Sequence, residues 1–449
     1  MTKQDFGRQN WFILILFGLI GQIAWSVENM YFNLFVFDTI SPNLDAITLM
    51  VQLSGIAATV TTLVAGTLSD KLGNRRKFIS YGYIIWGLTV ALFGFISTEN
   101  MQKLFSLSQA KAISLALTAV IVGDCVMTLF GSTANDAAFN AWITDNTKES
   151  FRGKVEGVLA ILPLIAMLIV AGGFGILVGF AGYKGLFFGL GIVILLCGTI
   201  GIFTIKDSPT LERKGLLKDI FYGFKPNVVK GNPQLYVTLL IVGVYGIACQ
   251  IFMPYLIIYM TTYLGFNVVE YSVVFGGAII IGAAINVYLG NLSDKLNKSK
   301  LLYIAATVMI VGLLGMYFSK FDNHLATLIL FGVAGFIMST GYIFVSALCG
   351  SITRDYTPAD NAGKLQGVRM IFGVLLPMVF GPMIGNAINK ARNIPLPDLG
   401  SADTMTTQYI PAPEIFLVGA VFAALMFVLI PVLVKITRKN RNFFPSVDI

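Results

Sequence analysis

The sequence predicts an all-α polytopic membrane protein, with twelve transmembrane helices in two pseudo-symmetric six-helix bundles. Three observations carry that prediction. The chain of 449 residues is 56% hydrophobic and only 12% charged, with a mean hydropathy of +0.78, whereas a soluble domain is roughly a quarter charged. Its apolar residues fall into long runs without period-2 alternation, and a helix of about 20 apolar residues crosses a bilayer with every backbone group satisfied. Short motifs recur in the same order in both halves of the chain, as in a duplicated fold.

The runs lie at about 11–38, 46–69, 78–98, 112–142, 156–181, 185–205, 235–262, 271–293, 301–319, 325–350, 364–389 and 413–434. Span 1 follows a short polar start, MTKQDFGRQN. It is too long for a signal-peptide core and no A-x-A-like site follows it, so it is expected to stay in the membrane. Within it, GQIAWSVENMYFN sets Gln22, Trp25, Glu28 or Asn29, and Asn33 at spacings of three or four, one polar-aromatic stripe on a helix. An aromatic ring against a pyranose face, with amides and carboxylates on the hydroxyls, is a common way to hold a sugar. The plain alternative is that Trp25 packs between helices.

Glu28 lies about ten residues from the outer end of span 1, roughly 15 Å deep. Span 4 carries Asp124, about twelve residues from its outer end and roughly 18 Å deep. An ionisable residue inside a span is a functional candidate by default. Glu28 and Asp124 are therefore the candidates for cation coupling, and also for a substrate hydroxyl, with an interhelical hydrogen bond as the structural alternative. A carboxyl poised near neutrality can load a proton outside and release it inside. Sodium is the rival cation, and Asn29, Asn33 or a backbone carbonyl could supply oxygens to it. Span 4 adds Asn135, Asp136 and Asn140 nearer the cytoplasm.

Span 5 contains Pro163 and a glycine cluster. The stretch from Lys206 to about Pro233 holds six Lys or Arg and three prolines. It reads as a cytoplasmic linker with a short amphipathic helix at LLKDIFYGF. The expected division is thus an N-terminal bundle at 1–206, a linker at 207–233 and a C-terminal bundle at 234–449. In the second half, Tyr245, Gln250 and Tyr255 of span 7, Asn286 of span 8 and Tyr342 of span 10 are weaker candidates for substrate contact. Arg369 enters span 11, where it could pair with Asp136 or Asp355 or meet an anionic substrate. Pro377 and Pro382 interrupt the backbone hydrogen bonding of that span and can support bending.

With the N-terminus in the cytoplasm, cytoplasmic segments hold 24 of the 31 Lys and Arg, outer segments 6, and Arg369 falls inside a span. This bias sets both termini on the cytoplasmic side and explains the net charge of +8 through anionic inner-leaflet lipid, without nucleic acid. The expected location is the cell (inner) membrane. Cys125, Cys197, Cys249 and Cys349 lie in spans with no C-x-x-C pair and read as small hydrophobes. His324 is the only histidine, which argues against histidine metal sites and Ser-His-Asp chemistry.

Two repeats tie the halves together. Gly66–Lys77 reads GTLSDKLGNRRK at the end of span 2, and Gly290–Lys300 reads GNLSDKLNKSK at the end of span 8. Asp145-Asn146-Thr147 with Gly153-Lys154-Val155-Glu156-Gly157-Val158 follows span 4. Asp355-Tyr356-Thr357 with Gly363-Lys364-Leu365-Gln366-Gly367-Val368 follows span 10.

These residues resemble the major facilitator superfamily. GTLSDKLGNRRK looks like its loop 2–3 motif, GNLSDKLNKSK like the degenerate copy in loop 8–9, and DNTKESFRGK like its loop 4–5 pattern. The resemblance covers essentially the whole chain. GNPQLYVTLL and YTPADNAGKLQGVRM are further similar to the glycoside–pentoside–hexuronide:cation symporter branch and its sucrose-transporter-like relatives. The resemblance implies the major facilitator fold, with helices 1, 4, 7 and 10 lining a central cavity within reach of Glu28 and Asp124. It also implies cytoplasmic gating groups: Gly66, Asp70, Arg75 and Arg76, Asp145 and Arg152, Gly290 and Asp294, and Asp355 and Arg369. Gly66 would let span 2 approach helix 11 closely, with Asp70 near the positive end of that helix.

Sodium-coupled members of the branch keep carboxylates on helices 2 and 4. Span 2 here has none before Asp70, which favours a proton. Span 5 lacks the Gly-Pro-rich motif usual in drug:proton antiporters.

The expected function is a secondary active transporter that imports a sugar or glycoside with a coupling cation, H+ before Na+, by alternating access. No other cofactor is expected. Its partners would be that small-molecule solute and the lipid bilayer, and it would act as a monomer. No P-loop is present, so ATP does not drive it directly. The alternatives are transport or export of a drug-like or anionic solute, and a non-transporting membrane receptor. A membrane enzyme would need a convergent nucleophile, base or metal cluster that the sequence does not offer.

Overall fold

The computed structural model describes residues 6–147, 152–208, 217–293, 298–357, 365–396 and 409–441. The chain forms two compact units, Met1–Leu217 and Lys218–Ile449. Among the described residues, ten helices are long and apolar enough to cross a membrane.

The first unit starts with α1 (Arg8–Ile40), α2 (Leu44–Leu72), α3 (Arg75–Phe95) and α4 (Gln109–Asn146). A helical stretch from Arg152 to Thr204 follows and turns a corner at Gly182, with φ 68° and ψ 174°. Side-chain-bearing residues rarely take positive φ, so the glycine divides the stretch into α5 (152–181) and α6 (183–204). The second unit holds α7 (Pro233–Tyr263), α8 (Val268–Ser293) and α9 (Lys298–Tyr317). It ends with α10 (His324–Tyr356), α11 (Gln366–Arg392) and α12 (Glu414–Thr437). The corner at Gly182 and the addition of α8 bring the ten long helices to twelve spans. After α11, β1 (Ile394–Pro395) pairs antiparallel with β2 (Tyr409–Ile410).

The two units repeat one packing scheme. α1 packs on α5, α2 on α4 and α3 on α6; α7 packs on α11, α8 on α10 and α9 on α12. Each contact of the first unit recurs six helices later, as a duplicated bundle requires.

Local sequence explains the turn between α2 and α3. Gly73 is left-handed at φ 61° and caps α2, its N–H bonding the carbonyl of Ser69 at 3.0 Å. Asn74 then caps α3 by accepting the N–H of Lys77 at 3.2 Å. GTLSDKLGNRRK therefore encodes helix stop, turn and helix start in succession.

Two elements differ from expectation. The linker helix expected at LLKDIFYGF is a 3₁₀ helix, Leu217–Phe224, followed by a short α-helix, Pro226–Gly231. Pro226 disfavours the α conformation in Lys225, which sits extended at ψ 130°. The segment joins the second unit through Tyr222 and Val228, which pack on Leu235, Leu239, Leu365 and Val368. In α7 the regular helix stops at Gln250 and resumes through a 3₁₀ turn at Met253–Tyr255, where Pro254 has no N–H to donate.

Candidate cation and solute site

The middle of the first unit brings three helices together around two carboxylates. Glu28 of α1 opens a π-helical segment, Glu28–Phe32, a distortion that recurs at functional sites. Its Oε1 accepts the hydroxyl of Ser54 from α2 at 2.7 Å and that of Thr128 from α4 at 3.2 Å. The two hydroxyls are 2.9 Å apart. Asp124 precedes Thr128 by one turn of α4, so it presents its carboxyl to the same place, where Ser54 also faces it. Glu28 is 8% exposed and Asp124 2%. Glu28 Oε2 and Asp124 Oδ1 are buried without a hydrogen-bond partner. Among the described residues, no Lys, Arg or His acts on either carboxylate.

Trp25 and Ser132 face Asp136 farther along α1 and α4. The Trp25 ring centre lies 4.9 Å from that of Trp86 of α3, with the two planes tilted by 41°. Gly131 opens the slot: a Cβ there would stand 2.8 Å from Trp86 and 2.9 Å from Trp25. The Ser132 hydroxyl and the Trp25 Nε1 are buried without a direct hydrogen bond. Beside them Asn135 donates to the Tyr83 hydroxyl at 2.8 Å, which donates to the Phe17 carbonyl at 2.8 Å.

The stripe expected on α1 divides. Glu28 turns into the unit, while Asn29 is exposed and donates its amide to the Trp25 carbonyl at 2.8 Å. Asn33 is buried and donates to the Asn29 carbonyl at 3.2 Å. Successive helical positions are about 100° apart, so Glu28 and Asn29 cannot share a face. The oxygens near Glu28 come from Ser54 and Thr128 and not from these amides. Gln22 is half-buried.

In the second unit, Tyr245 and Tyr342 lie with ring centres 5.5 Å apart, and the Tyr245 hydroxyl reaches the Tyr342 carbonyl at 3.4 Å. Gln250 ends the regular part of α7 and packs on Gly381. Tyr255 is fully buried and donates to the Pro382 carbonyl at 2.9 Å, binding α7 to α11.

At the turn between α2 and α3, Arg75 is the hub of the first unit. It bonds Asp70, the hydroxyl of Ser69 at 2.5 Å and Asp145 at 3.0 Å. Asp70 is thus engaged inside its own unit. A Cβ on Gly66 would stand 3.9 Å from Ala137, so packing within this unit does not demand the glycine. Arg76 donates its N–H to Asp207 at 2.9 Å and its guanidinium to the Ile202 carbonyl. In the second unit Lys298 bonds Asp355 at 2.5 Å and Ser351 at 3.0 Å. Arg369 lies half-buried at the start of α11. Arg152 begins α5 and Gly290 lies in α8, but the surroundings of their side chains, like those of Asn286, fall outside the described residues. Asp294 falls outside them altogether.

Sequence reasoning missed Ser54, Thr128, Ser132 and Trp86. A signal was present on α4, where Asp124, Thr128, Ser132 and Asp136 recur every four residues.

Twelve apolar helices among the described residues, in two units of matching packing, define a polytopic helical membrane fold. The family model of the Major Facilitator Superfamily matches residues 11–382, and the chain belongs to that superfamily. It is a multi-pass membrane protein, and a transporter by family.

Two solved structures share the fold. A mutant of the nucleoside transporter NupG is 12% identical, with a TM-score of 0.65, covering 95% of this chain and 99% of its own. A bacterial homolog of the human lysosomal transporter Spinster, inward-facing and unoccupied, is 15% identical with a TM-score of 0.65, covering 95% and 98%. No curated protein matches the chain.

Proposed function

We propose that this protein imports a sugar or glycoside together with a cation, a proton in preference to sodium, by alternating access. The observation that carries the reading is the pair Glu28 and Asp124, buried together without a basic partner. Uncompensated buried charge costs several kcal/mol, so the pair calls for a cation when buried. A proton needs only one carboxyl oxygen, and two stand unpartnered. Sodium would draw on Ser54 and Thr128, whose hydroxyls already donate to Glu28.

Trp25 and Asp136 of the first unit, with Tyr245, Tyr342 and Gln250 of the second, are proposed as solute contacts. They combine rings with hydrogen-bonding groups, which suits a neutral polyhydroxy solute. The similarity of GNPQLYVTLL and YTPADNAGKLQGVRM to the glycoside–pentoside–hexuronide:cation branch supports the same class. The excess of cytoplasmic bases supports a cell inner membrane location with both termini inside. The clusters at Arg75 and Lys298 are proposed as cytoplasmic gate elements of bundles at 1–206 and 234–449, joined by the linker at 207–233, in a monomer.

The test has two arms. Purified protein is screened by thermal shift against sugars, glycosides, uronides and nucleosides; a shift with nucleosides alone overturns the sugar reading. Glu28→Gln is then assayed in proteoliposomes with the solute found. Cation-driven accumulation should be lost while exchange partly survives. Unchanged accumulation would remove Glu28 from the coupling step.

A further inference from the structure

Ser54 occupies an unusual position, and the transport reading gives it no step of its own. Its Oγ lies 2.7 Å from Glu28 Oε1 and 2.9 Å from Thr128 Oγ1, and it also faces Asp124. It is 2% exposed and comes from α2, between the helices that carry the two carboxyls. A hydroxyl both donates and accepts, so such a group can connect the carboxyl it bonds, Glu28, with the one it faces, Asp124. Glu28 Oε2 and Asp124 Oδ1 are left without partners, so each carboxyl has an oxygen open to a proton. The other titratable groups beside the pair are Asp136, which acts on Glu28, and Cys125, next to Asp124 on α4, on which both carboxyls act.

We propose that Ser54 hands one exchangeable proton between Asp124 and Glu28, a role that rests on the cation-coupled reading above. The Asp124 carboxyl gives its proton to Ser54 Oγ while the Ser54 hydroxyl gives its own to Glu28 Oε1. One O–H bond breaks and one forms at Ser54, which ends neutral with its donor direction reversed. Asp124 becomes the carboxylate and Glu28 the acid. Thr128 holds Glu28 Oε1 in place through its second hydrogen bond. Ser54 is therefore a positioning and relay residue, and neither carboxyl need move to the other.

The proton itself is the probe, so no solute is required. Purified protein in liposomes, in potassium buffer, is given a pH jump, and the infrared bands of the protonated Asp124 and Glu28 carboxyls, assigned by their loss in Asp124→Asn and in Glu28→Gln, are followed in time. In wild type the Asp124 band should fall as the Glu28 band rises, in a single phase. Ser54→Ala should slow that exchange by about a hundredfold, and Ser54→Thr, which keeps a hydroxyl, should restore it. A wild-type rate in Ser54→Ala overturns the relay. If Ser54→Ala does not fold, Ser54→Cys, a similar-sized and poorer hydrogen-bonding group, should show the slowing; a wild-type rate there overturns the relay equally. If the bands persist unchanged in the Glu28→Gln, Asp124→Asn double variant, the carboxyl pair is not the proton site, and the coupling reading falls with the relay. If sodium chloride abolishes the bands in wild type, the pair prefers sodium; the relay is overturned and cation coupling stands.

Discussion

Glu28, Arg75 and Asp124 are 8%, 4% and 2% exposed, and all three belong to the first unit. The buried polar side chains described in the second unit are neutral, among them Gln234, Thr238, Asn386 and Asn389. The two units share one helix-packing scheme but not one internal chemistry. Neutral groups need hydrogen bonds and no counter-charge, as where Asn386 Oδ1 accepts the Tyr409 hydroxyl at 2.9 Å. Buried charge needs a counter-charge. Arg75 finds two, in Asp70 and Asp145. Glu28 and Asp124 find none among the described residues, and the proposed cation coupling rests on that. The second unit offers hydrogen bonds and rings instead.

The largest effect should come from the paired charge. Arg75→Ala leaves Asp70 and Asp145 without their cation. Breaking a fully buried pair on one side costs about 3–5 kcal/mol. Water reaches these carboxylates, 39% and 23% exposed, so the loss should fall below that while exceeding the about 0–1 kcal/mol of an exposed pair. Thermal unfolding of the detergent-purified variant should show a large loss of stability, and Arg75→Lys should recover only part of it, because one ammonium cannot reproduce the fork. A stable Arg75→Ala protein would break the contrast between the units, since burial of charge would then cost the first unit nothing.

How much of this was visible beforehand depends on the kind of signal. The spans were legible because lipid demands long apolar runs, and the boundaries differ where helices run on past the apolar stretch, as at Leu72 and Tyr356. Glu28 and Asp124 stood out because a carboxylate in such a run is rare, and their similar depth could be counted along the helices. Ser54 and Thr128 did not stand out. Hydroxyls are common in spans, where most bond their own helix, as Thr59 does to Gly55. Only tertiary structure shows that these two turn to Glu28, 26 and 100 residues away in sequence. Asn29 was grouped with Glu28 because both fit a spacing of three or four from Trp25, and the helix sends them to different sides. The lack of a close neighbour for Gly66 inside its unit was equally invisible, because a glycine in a sequence does not name what faces it.

A middle-sized effect should come from the tryptophan slot. Gly131→Ala sets a methyl 2.8 Å from Trp86 and 2.9 Å from Trp25, and overpacking of this kind costs about 1–3 kcal/mol. The rings of the slot must shift, so tryptophan fluorescence should change in a variant where Trp11 and Trp142 are Phe and, of the four tryptophans, only Trp25 and Trp86 remain. An unchanged spectrum would show that Trp25 is not held by Gly131, and would weaken its assignment as a fixed solute contact.

The smallest effect should come from the second unit's counterpart of Arg75. Lys298 lies at the same place in the repeat and binds Asp355, as Arg75 binds Asp145, but the setting differs. Its side chain is 19% exposed and that of Asp355 34%, against 5% for Arg75. Water therefore screens the pair, and a single ammonium makes two contacts where the guanidinium makes three. Exposed pairs contribute about 0–1 kcal/mol, so Lys298→Ala should shift thermal unfolding only slightly, and high salt should reduce the wild-type value by a similar amount. Lys298→Arg sharpens the comparison. If the weakness of this cluster lies in the ammonium, the guanidinium should gain stability; if it lies in the exposure, arginine should change nothing. The second outcome is expected, because the fork of an arginine is worth most where water is absent, and that condition is met at Arg75 and not here.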